Sequence, residues 1–156
     1  MKPKFIDYFM KFAELTSTLS HAKRLQVGAV IVRGDSQIIA TGYNGMPTGW
    51  DNTCEEEHVE YVSSGYGMPM REETYLKTKP EVLHAESNAI AKVAQSTESS
   101  QGATLFCTHA PCMDCAKLIF QSGIKTIYYK NQYREDAGIK FLMISGVNVH
   151  QHPDIV

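Results

Sequence analysis

The sequence predicts an α/β protein built as a three-layer α/β/α sandwich around a mixed central sheet. Three observations support this fold class. A helical stripe opens the chain, two β-branched runs separated by a short turn follow it, and strands alternate with helices after residue 80. A hairpin joined to alternating strands and helices requires both strand directions in one sheet, with helices covering both of its faces.

The first predicted helix covers residues 4–22 and is followed by two strands. Its apolar residues recur at intervals of one, three and four, so we expect one buried face made of Phe5, Tyr8, Phe9, Phe12, Leu15 and Leu19. The runs LQVGAVIVRG (25–34) and QIIATGYNG (37–45) are mostly apolar and β-branched, with Gly34, Asp35 and Ser36 between them. They predict adjacent strands, joined by a tight turn, at the centre of the sheet.

The segment from Gly45 to Pro80 shows neither helical nor strand periodicity. It is rich in Gly, Pro and charged residues and contains Trp50, the only tryptophan. A loop of this length in a compact domain is more typical of function than of a simple connection. Short helices are expected within it near residues 57–63 and 70–75, with the acidic run Glu55, Glu56 and Glu57 as a solvated helix start.

The rest of the chain alternates between helices and strands. LHAESNAIAKVAQS (83–96) has helical spacing, GATLFCTHAP (102–111) predicts a strand, and CMDCAKLIFQSG (112–123) predicts a helix closed by Gly123. IKTIYYK (124–130) predicts the next strand. REDAGIKFLMISG (134–146) predicts a last helix ended by Gly146, and VNVHQH (147–152) a short strand.

Length, charge and cysteine content restrict the classes of function. The 156 residues suit one domain, residues 1–156, and therefore one active centre. A net charge of −2 gives no basic field for holding a long nucleic acid. Lys11 and Glu14 interrupt the apolar N-terminal stretch, so it resembles neither a signal peptide nor a membrane span, and we expect a cytoplasmic protein. Four cysteines in that setting favour thiols or metal thiolates over disulfides.

The residues that can bind a metal or act in catalysis lie at two predicted helix starts. Cys112 and Cys115 are three apart at one of them, where the helix N-terminus favours thiolates that can bind a single ion. With His84 they make three ligands, which leaves tetrahedral zinc one open position for water, as in a catalytic site. Glu86 lies two residues from His84 and can take a proton from such a water without binding the metal.

Simpler interpretations apply to each residue taken alone. His84 and Glu86 could form an ordinary helix start, and Cys112 with Cys115 a structural zinc half-site or a redox pair. His109 could line the pocket or be a solvated loop residue. Cys107 is expected to be a buried strand residue, and His150 and His152 are expected at the surface.

The residues together carry a family resemblance. Zinc nucleobase deaminases share H-x-E followed by P-C-x-x-C, which His84–Ala85–Glu86 and Pro111–Cys112–x–x–Cys115 match. The segments VGAVIV (27–32), GYNGMP (42–47), VLHAESNAI (82–90), PCMDCAK (111–117) and SGIKTIYY (122–129) resemble, in order and spacing, the deoxycytidylate (dCMP) deaminases of the cytidine deaminase-like superfamily. The long connection between Asn44 and His84 is also similar to that family.

This resemblance implies a zinc-dependent hydrolysis of dCMP to dUMP and ammonia in a cytidine deaminase-like fold. Zinc hydroxide would attack C4 of the cytosine while Glu86 shuttles protons to N3 and to the leaving amine. The resemblance implies that Asn44 contacts the nucleotide, that Tyr133 and Arg134 lie over the substrate pocket, and that Arg134 is a partner for the 5′-phosphate.

The resemblance also bears on metals, effectors and assembly. Many relatives have a cysteine before the first strand that helps form a second, structural zinc site, but Ala22 stands there in this chain. Cys54 and His58 are the candidates for half of such a site, with His21 nearby. The family implies a homo-oligomer, a hexamer, with dCTP as activator and dTTP as inhibitor, and Mg²⁺ accompanying the triphosphate.

Two rival functions are also compatible with the sequence. The first is a deaminase of free (deoxy)cytidine or of a base in RNA, and the second is a catalytically silent zinc-binding or nucleotide-binding module. Arg134 favours a phosphorylated substrate over a nucleoside. Glu86 favours an enzyme over a silent module, because binding alone does not require a carboxylate beside an open metal position.

Overall fold

The computed structural model describes residues 1–152, so the last four residues of the predicted 1–156 domain lie outside the described residues. Four helices and seven strands follow one another in these residues. In chain order they are α1 (Pro3–Ser17), β1 (Gly28–Arg33), β2 (Gln37–Tyr43), β3 (Glu55–Ser63), β4 (Met70–Thr78), α2 (Ala85–Ala94), β5 (Thr104–His109), α3 (Met113–Gln121), β6 (Thr126–Asn131), α4 (Ala137–Ile144) and β7 (Asn148–Gln151).

Five of the strands form the central sheet, in the order β2-β1-β5-β6-β7. β1 pairs antiparallel with both β2 and β5, whereas β5, β6 and β7 run parallel to one another. The predicted tight turn after residue 33 joins β1 to β2, and Gly34 adopts a positive φ of 59° there. The mixed sheet predicted from the sequence is therefore confirmed.

Helices cover both faces of this sheet. Along β1, Val30 and Val32 face α1 in a cluster that includes Phe9 and Phe106. The alternate residues Ala29 and Ile31 face the opposite layer, which consists of α2, α3 and α4. Because successive strand residues point to opposite faces, an uninterrupted apolar run such as GAVIV marks a strand buried on both sides. The three-layer α/β/α prediction is confirmed.

The buried face of α1 differs from the predicted stripe. Phe9, Met10 and Ala13 are buried, but Tyr8, Leu15 and Leu19 are exposed. The helix ends at Ser17, so Leu19 lies beyond it. The six predicted positions span more of the helix surface than one sheet face can cover, and the sheet contacts only the part centred on Phe9.

The prediction for residues 45–80 was wrong, because β3 and β4 form an antiparallel ribbon in place of a loop with short helices. Their register runs from Glu55 opposite Thr78 to Ser63 opposite Met70. Glu55, Glu56 and Glu57 therefore begin a strand and not a helix. Within residues 1–152 the ribbon pairs with no other strand. Most residues on both of its faces are exposed, so the usual apolar–polar alternation is missing.

Two close backbone approaches bring the helix starts against the sheet and against each other. A Cβ at Gly42 of β2 would lie 2.2 Å from the carbonyl oxygen of Ala85, at the start of α2. A Cβ at Gly138 of α4 would lie 2.2 Å from the carbonyl oxygen of Pro111, just before α3. Only glycine permits these contacts. In the described part of the chain, no helix is both long and apolar enough to cross a membrane.

Candidate metal centre and active site

A His-Cys-Cys cluster lies where α2 and α3 begin. His84 is the residue before the first turn of α2, Cys112 has the same position at α3, and Cys115 is in the first turn of α3. His84 Nδ1 is 3.5 Å from Cys112 Sγ and 3.4 Å from Cys115 Sγ. In residues 1–152 these three side chains form the only group of three or more His, Cys, Asp or Glu side chains close enough to share one ion. The structure thus brings together the three ligands predicted from the sequence.

The geometry and chemistry of this cluster fit zinc. Tetrahedral zinc with ordinary Zn–S and Zn–N bond lengths separates a sulfur ligand from a nitrogen ligand by about 3.6 Å. The two Sγ–Nδ1 distances, 3.5 and 3.4 Å, are close to this value. Three protein ligands leave one coordination position for a water or a substrate, which is the arrangement of a catalytic zinc site.

The acid–base properties of the cluster also suit a cation. Hydrogen bonds from Cys115 and His84 to the Cys112 sulfur lower the pKa of Cys112 to about 4. The hydrogen bond with Cys112 raises the pKa of His84. The hydrogen bond to Cys112, together with burial, raises the pKa of Cys115. Because zinc binds thiolates and a neutral imidazole, its binding to these three residues would release protons.

Glu86 lies beside the cluster in the first turn of α2 and is buried, with 4% of its surface exposed. Burial raises the pKa of its carboxyl group, since the ionised form loses hydration there. It is not one of the clustered ligand groups, although it lines the same pocket as His84 and Cys112. A carboxyl group with a raised pKa next to an open metal position can both accept and return a proton.

A pocket of about 330 Å³ opens above the cluster. Its walls contain Asn44, Tyr133 and Arg134, the three residues that the family resemblance implies for the substrate, and also Arg24 and Glu55. Tyr133 and Arg134 follow β6 in an exposed loop. Two arginines at one pocket provide local positive charge for an anionic group in a chain whose net charge is −2.

The side chain of Asn44 has a structural role besides facing the pocket. Its Oδ1 accepts a hydrogen bond from the Val27 N–H at 2.7 Å, and its Nδ2 donates to the Leu25 carbonyl at 2.8 Å. Ser20 Oγ donates to the Asn44 carbonyl at 2.6 Å. Asn44 therefore fixes the loop between α1 and β1, and one amide hydrogen is left for a ligand.

His109 lines the pocket at the end of β5. The Thr108 hydroxyl accepts a hydrogen bond from the Gly28 N–H at 3.1 Å, so its own hydrogen is available for His109 Nδ1, 3.0 Å away. Burial lowers the pKa of His109, since the charged ring loses hydration there. The Thr108 hydroxyl therefore orients the His109 ring at the edge of the pocket.

Cys54 and His58 do not lie together. Cys54 is buried against Ala22 and Val82, next to the first residue of β3. The His58 ring lies four residues further along the ribbon and packs against Tyr75. Because a strand rises about 3.3 Å per residue, their backbones are about 13 Å apart. The predicted half-site for a second zinc is not formed by this pair.

Other residues behave partly as the sequence predicts. Cys107 is a buried strand residue and His150 is exposed, both as expected. His152 is buried, contrary to the prediction, because its Nε2 bonds Asp7 Oδ1 of α1 at 2.8 Å. Arg24 and Glu55 were missed as pocket residues, and the only signal for Arg24 was its position just before an apolar strand.

The fold and the cluster place this chain in the structural class of the zinc deaminases. Residues 3–131 match the family model described as the cytidine and deoxycytidylate deaminase zinc-binding region. The chain belongs to this family of zinc-binding deaminases.

Individual relatives are similar over most of the chain. It is 36% identical to the deoxycytidylate deaminase of Saccharomyces cerevisiae across 97% of its own length, but it spans only 46% of that protein. It is 35% identical to human deoxycytidylate deaminase, over 84% of this chain and 67% of the human one. A dCMP deaminase from the cyanophage S-TIM5, solved in complex with dCMP and dUMP, superposes with a TM-score of 0.81 at 44% identity and covers 97% of this chain and 99% of that one.

Proposed function

We propose that this chain, as a single catalytic domain, hydrolyses dCMP to dUMP and ammonia. The observation that carries the proposal is the buried Glu86 carboxyl group beside a three-ligand cluster, in a pocket that also contains two arginines. The similarity to a cyanophage dCMP deaminase along nearly the whole of both chains supports the same substrate.

Metal binding and proton transfer would be carried out by different residues of the chain. His84, Cys112 and Cys115 would hold the zinc, which supplies Lewis acidity that lowers the pKa of a water molecule in the pocket. Glu86 accepts a proton from the attacking water as the C4–O bond forms, and delivers it to N3 of the cytosine. Glu86 then transfers the remaining proton of the new C4 hydroxyl group to the amino group, and the C4–N bond breaks as the C4 carbonyl forms and ammonia leaves. Burial of Glu86 suits this role, since a raised pKa makes its carboxylate a stronger base toward the attacking water.

The remaining pocket residues would select the nucleotide. Arg24 and Arg134 are the cations that can bind the 5′-phosphate, and Arg134 can form a bidentate pair with it. The free amide hydrogen of Asn44 and the ring of Tyr133 would contact the nucleoside. A phosphate preference would separate this activity from that of a nucleoside deaminase.

An ammonia-release assay on the zinc-loaded protein tests the substrate. It compares dCMP, CMP, deoxycytidine and a cytosine-containing RNA at equal base concentration, each with and without dCTP. Selective turnover of dCMP is expected. Faster turnover of deoxycytidine or RNA would refute the phosphate argument, and no turnover of any of the four would favour a silent binding module.

The proposal extends to regulation and assembly. The family resemblance supports activation by dCTP and inhibition by dTTP, with Mg²⁺ bound to the triphosphate, and a homo-hexamer. The β3–β4 ribbon supports oligomerisation because an isolated two-stranded ribbon is marginally stable in water and this one exposes Tyr61, Tyr66 and Met68. Light scattering of the protein in solution, and initial rates with each triphosphate with and without Mg²⁺, test these two parts separately.

A further inference from the structure

Glu55 is a buried carboxylate that is not among the clustered metal ligands. It is the first residue of β3, and only 6% of its surface is exposed. Its Oε1 accepts two backbone hydrogen bonds, from the Lys23 N–H at 2.9 Å and from the Arg24 N–H at 3.1 Å. A charged side chain is rarely buried without such partners. These two hydrogen bonds connect the Glu55 carboxylate to the loop between α1 and β1.

The side chain of Arg24 is held by the same end of the ribbon. Arg24 Nη1 donates to Thr78 Oγ1 at 3.1 Å, and Thr78 is directly opposite Glu55 in the β3–β4 register. One pair of facing ribbon residues therefore holds both the backbone and the guanidinium group of Arg24. All three residues line the pocket. An arginine held in advance loses less rotamer freedom when it binds an anion.

We propose that Glu55 is a positioning residue, which holds Arg24 for the 5′-phosphate of the substrate and so sets the preference for a nucleotide over a nucleoside. This inference rests on the proposed function. Direct contact between Glu55 and the phosphate would be repulsive, and the two backbone donors already occupy Oε1. Glu55 consequently acts on the phosphate through Arg24.

Three variants separate this role from a merely structural one. Glu55→Ala removes the acceptor, Thr78→Val removes the side-chain anchor of Arg24 while keeping the β-branched shape, and Glu55→Gln keeps an oxygen acceptor. Glu57→Ala, in the same strand but exposed and outside the pocket, is the matched control. Each zinc-loaded protein is assayed for KM and kcat with dCMP and with deoxycytidine. Calorimetry gives the Kd of the products dUMP and deoxyuridine.

Loss of one charge-assisted hydrogen bond corresponds to about a tenfold change in affinity. We expect Glu55→Ala and Thr78→Val to raise the KM for dCMP and the Kd for dUMP by about that factor. The kcat for dCMP, and all values for deoxycytidine and deoxyuridine, should stay unchanged. Glu55→Gln should restore most of the dCMP affinity, and Glu57→Ala should match the parent protein.

Equal losses for phosphorylated and unphosphorylated ligands would overturn the inference, and so would an unchanged KM for dCMP in a folded Glu55→Ala protein. If Glu55→Ala does not fold, Thr78→Val decides, and an unchanged Kd for dUMP in that variant overturns the inference. The parent protein tests the proposed function by itself: if it binds dUMP no more tightly than deoxyuridine, the substrate assignment fails before any variant is considered.

Discussion

Replacement of Glu86 by Gln tests the assignment of the proton shuttle most directly. The amide has nearly the same shape as the carboxyl group, so the buried side chain can keep its packing, but it cannot accept the proton from the attacking water. General acid–base catalysis contributes about 10²- to 10⁴-fold, so we expect kcat for dCMP to fall by about a thousandfold, or about 4 kcal/mol in the activation barrier. The assay is steady-state ammonia release.

Two further measurements make the Glu86→Gln result specific. Zinc content should stay at the parent value, because Glu86 is not one of the three clustered ligand groups. The free energy of unfolding should be equal or higher, since burial disfavours the carboxylate that the substitution removes. Glu81→Gln, an exposed glutamate before the same helix, is the matched control and should leave turnover unchanged. Near-normal turnover in Glu86→Gln would refute the mechanism, and loss of zinc would show that Glu86 is a ligand.

Three more substitutions test the site and its support. Cys112→Ser should lower zinc content and activity together, whereas Cys54→Ala should leave the zinc stoichiometry unchanged; metal analysis of both proteins checks this, and full zinc in Cys112→Ser would exclude that residue as a ligand. Gly138→Ala places a Cβ 2.2 Å from the Pro111 carbonyl oxygen and 2.8 Å from that of Cys112, so we expect a loss of stability of about 1–3 kcal/mol and weaker zinc binding. Gly45→Ala, with its nearest neighbour at 3.8 Å, is the control in urea unfolding, and equal midpoints would contradict the argument. Burial lowers the pKa of His109 in the folded protein, so the unfolded chain takes up the proton first as the pH falls below about 6.5, and stability declines from there down to the folded pKa. His109→Gln should lessen this decline below about pH 6.5, and identical pH profiles for the variant and the parent protein would refute the cause assigned to the shift.

The strands of the central sheet could be predicted because burial leaves a strong pattern. β1 and β5 are covered by helices on both faces, so their sequences are nearly continuous apolar runs. The ribbon could not be recognised by the same criterion. It packs on neither face of the central sheet. Both faces of its strands are exposed, with residues such as Glu56 on one face and Tyr61 on the other, so neither face is apolar throughout. A strand without a buried face looks like a loop in its sequence.

The metal cluster could be predicted because its residues are close in sequence within each half. His84 with Glu86, and Cys112 with Cys115, are placed by the first turns of two helices, whose geometry is regular. Arg24 and Glu55 have no such relation. They are 31 residues apart. They meet only because the end of the ribbon where Glu55 faces Thr78 packs against the loop before β1, so their contact depends on the tertiary fold. Short-range motifs predict a site's reactive centre better than its walls.

Asn44 shows why a pocket residue cannot be assigned from its sequence motif alone. The family resemblance implies a contact with the nucleotide, and the structure places the residue at the pocket. Its Oδ1 and one Nδ2 hydrogen are nevertheless bound to the backbone of Val27 and Leu25, in the same loop that carries Arg24. Substitution of Asn44 would therefore release the loop and disturb Arg24 even if no nucleotide touched the amide. Loss of dCMP binding in such a variant would not separate the two roles, whereas Glu55 and Thr78 hold Arg24 through contacts that do not involve Asn44. Substitutions of Glu55 and Thr78 can thus alter the phosphate contact while the hydrogen bonds of Asn44 to the loop are kept.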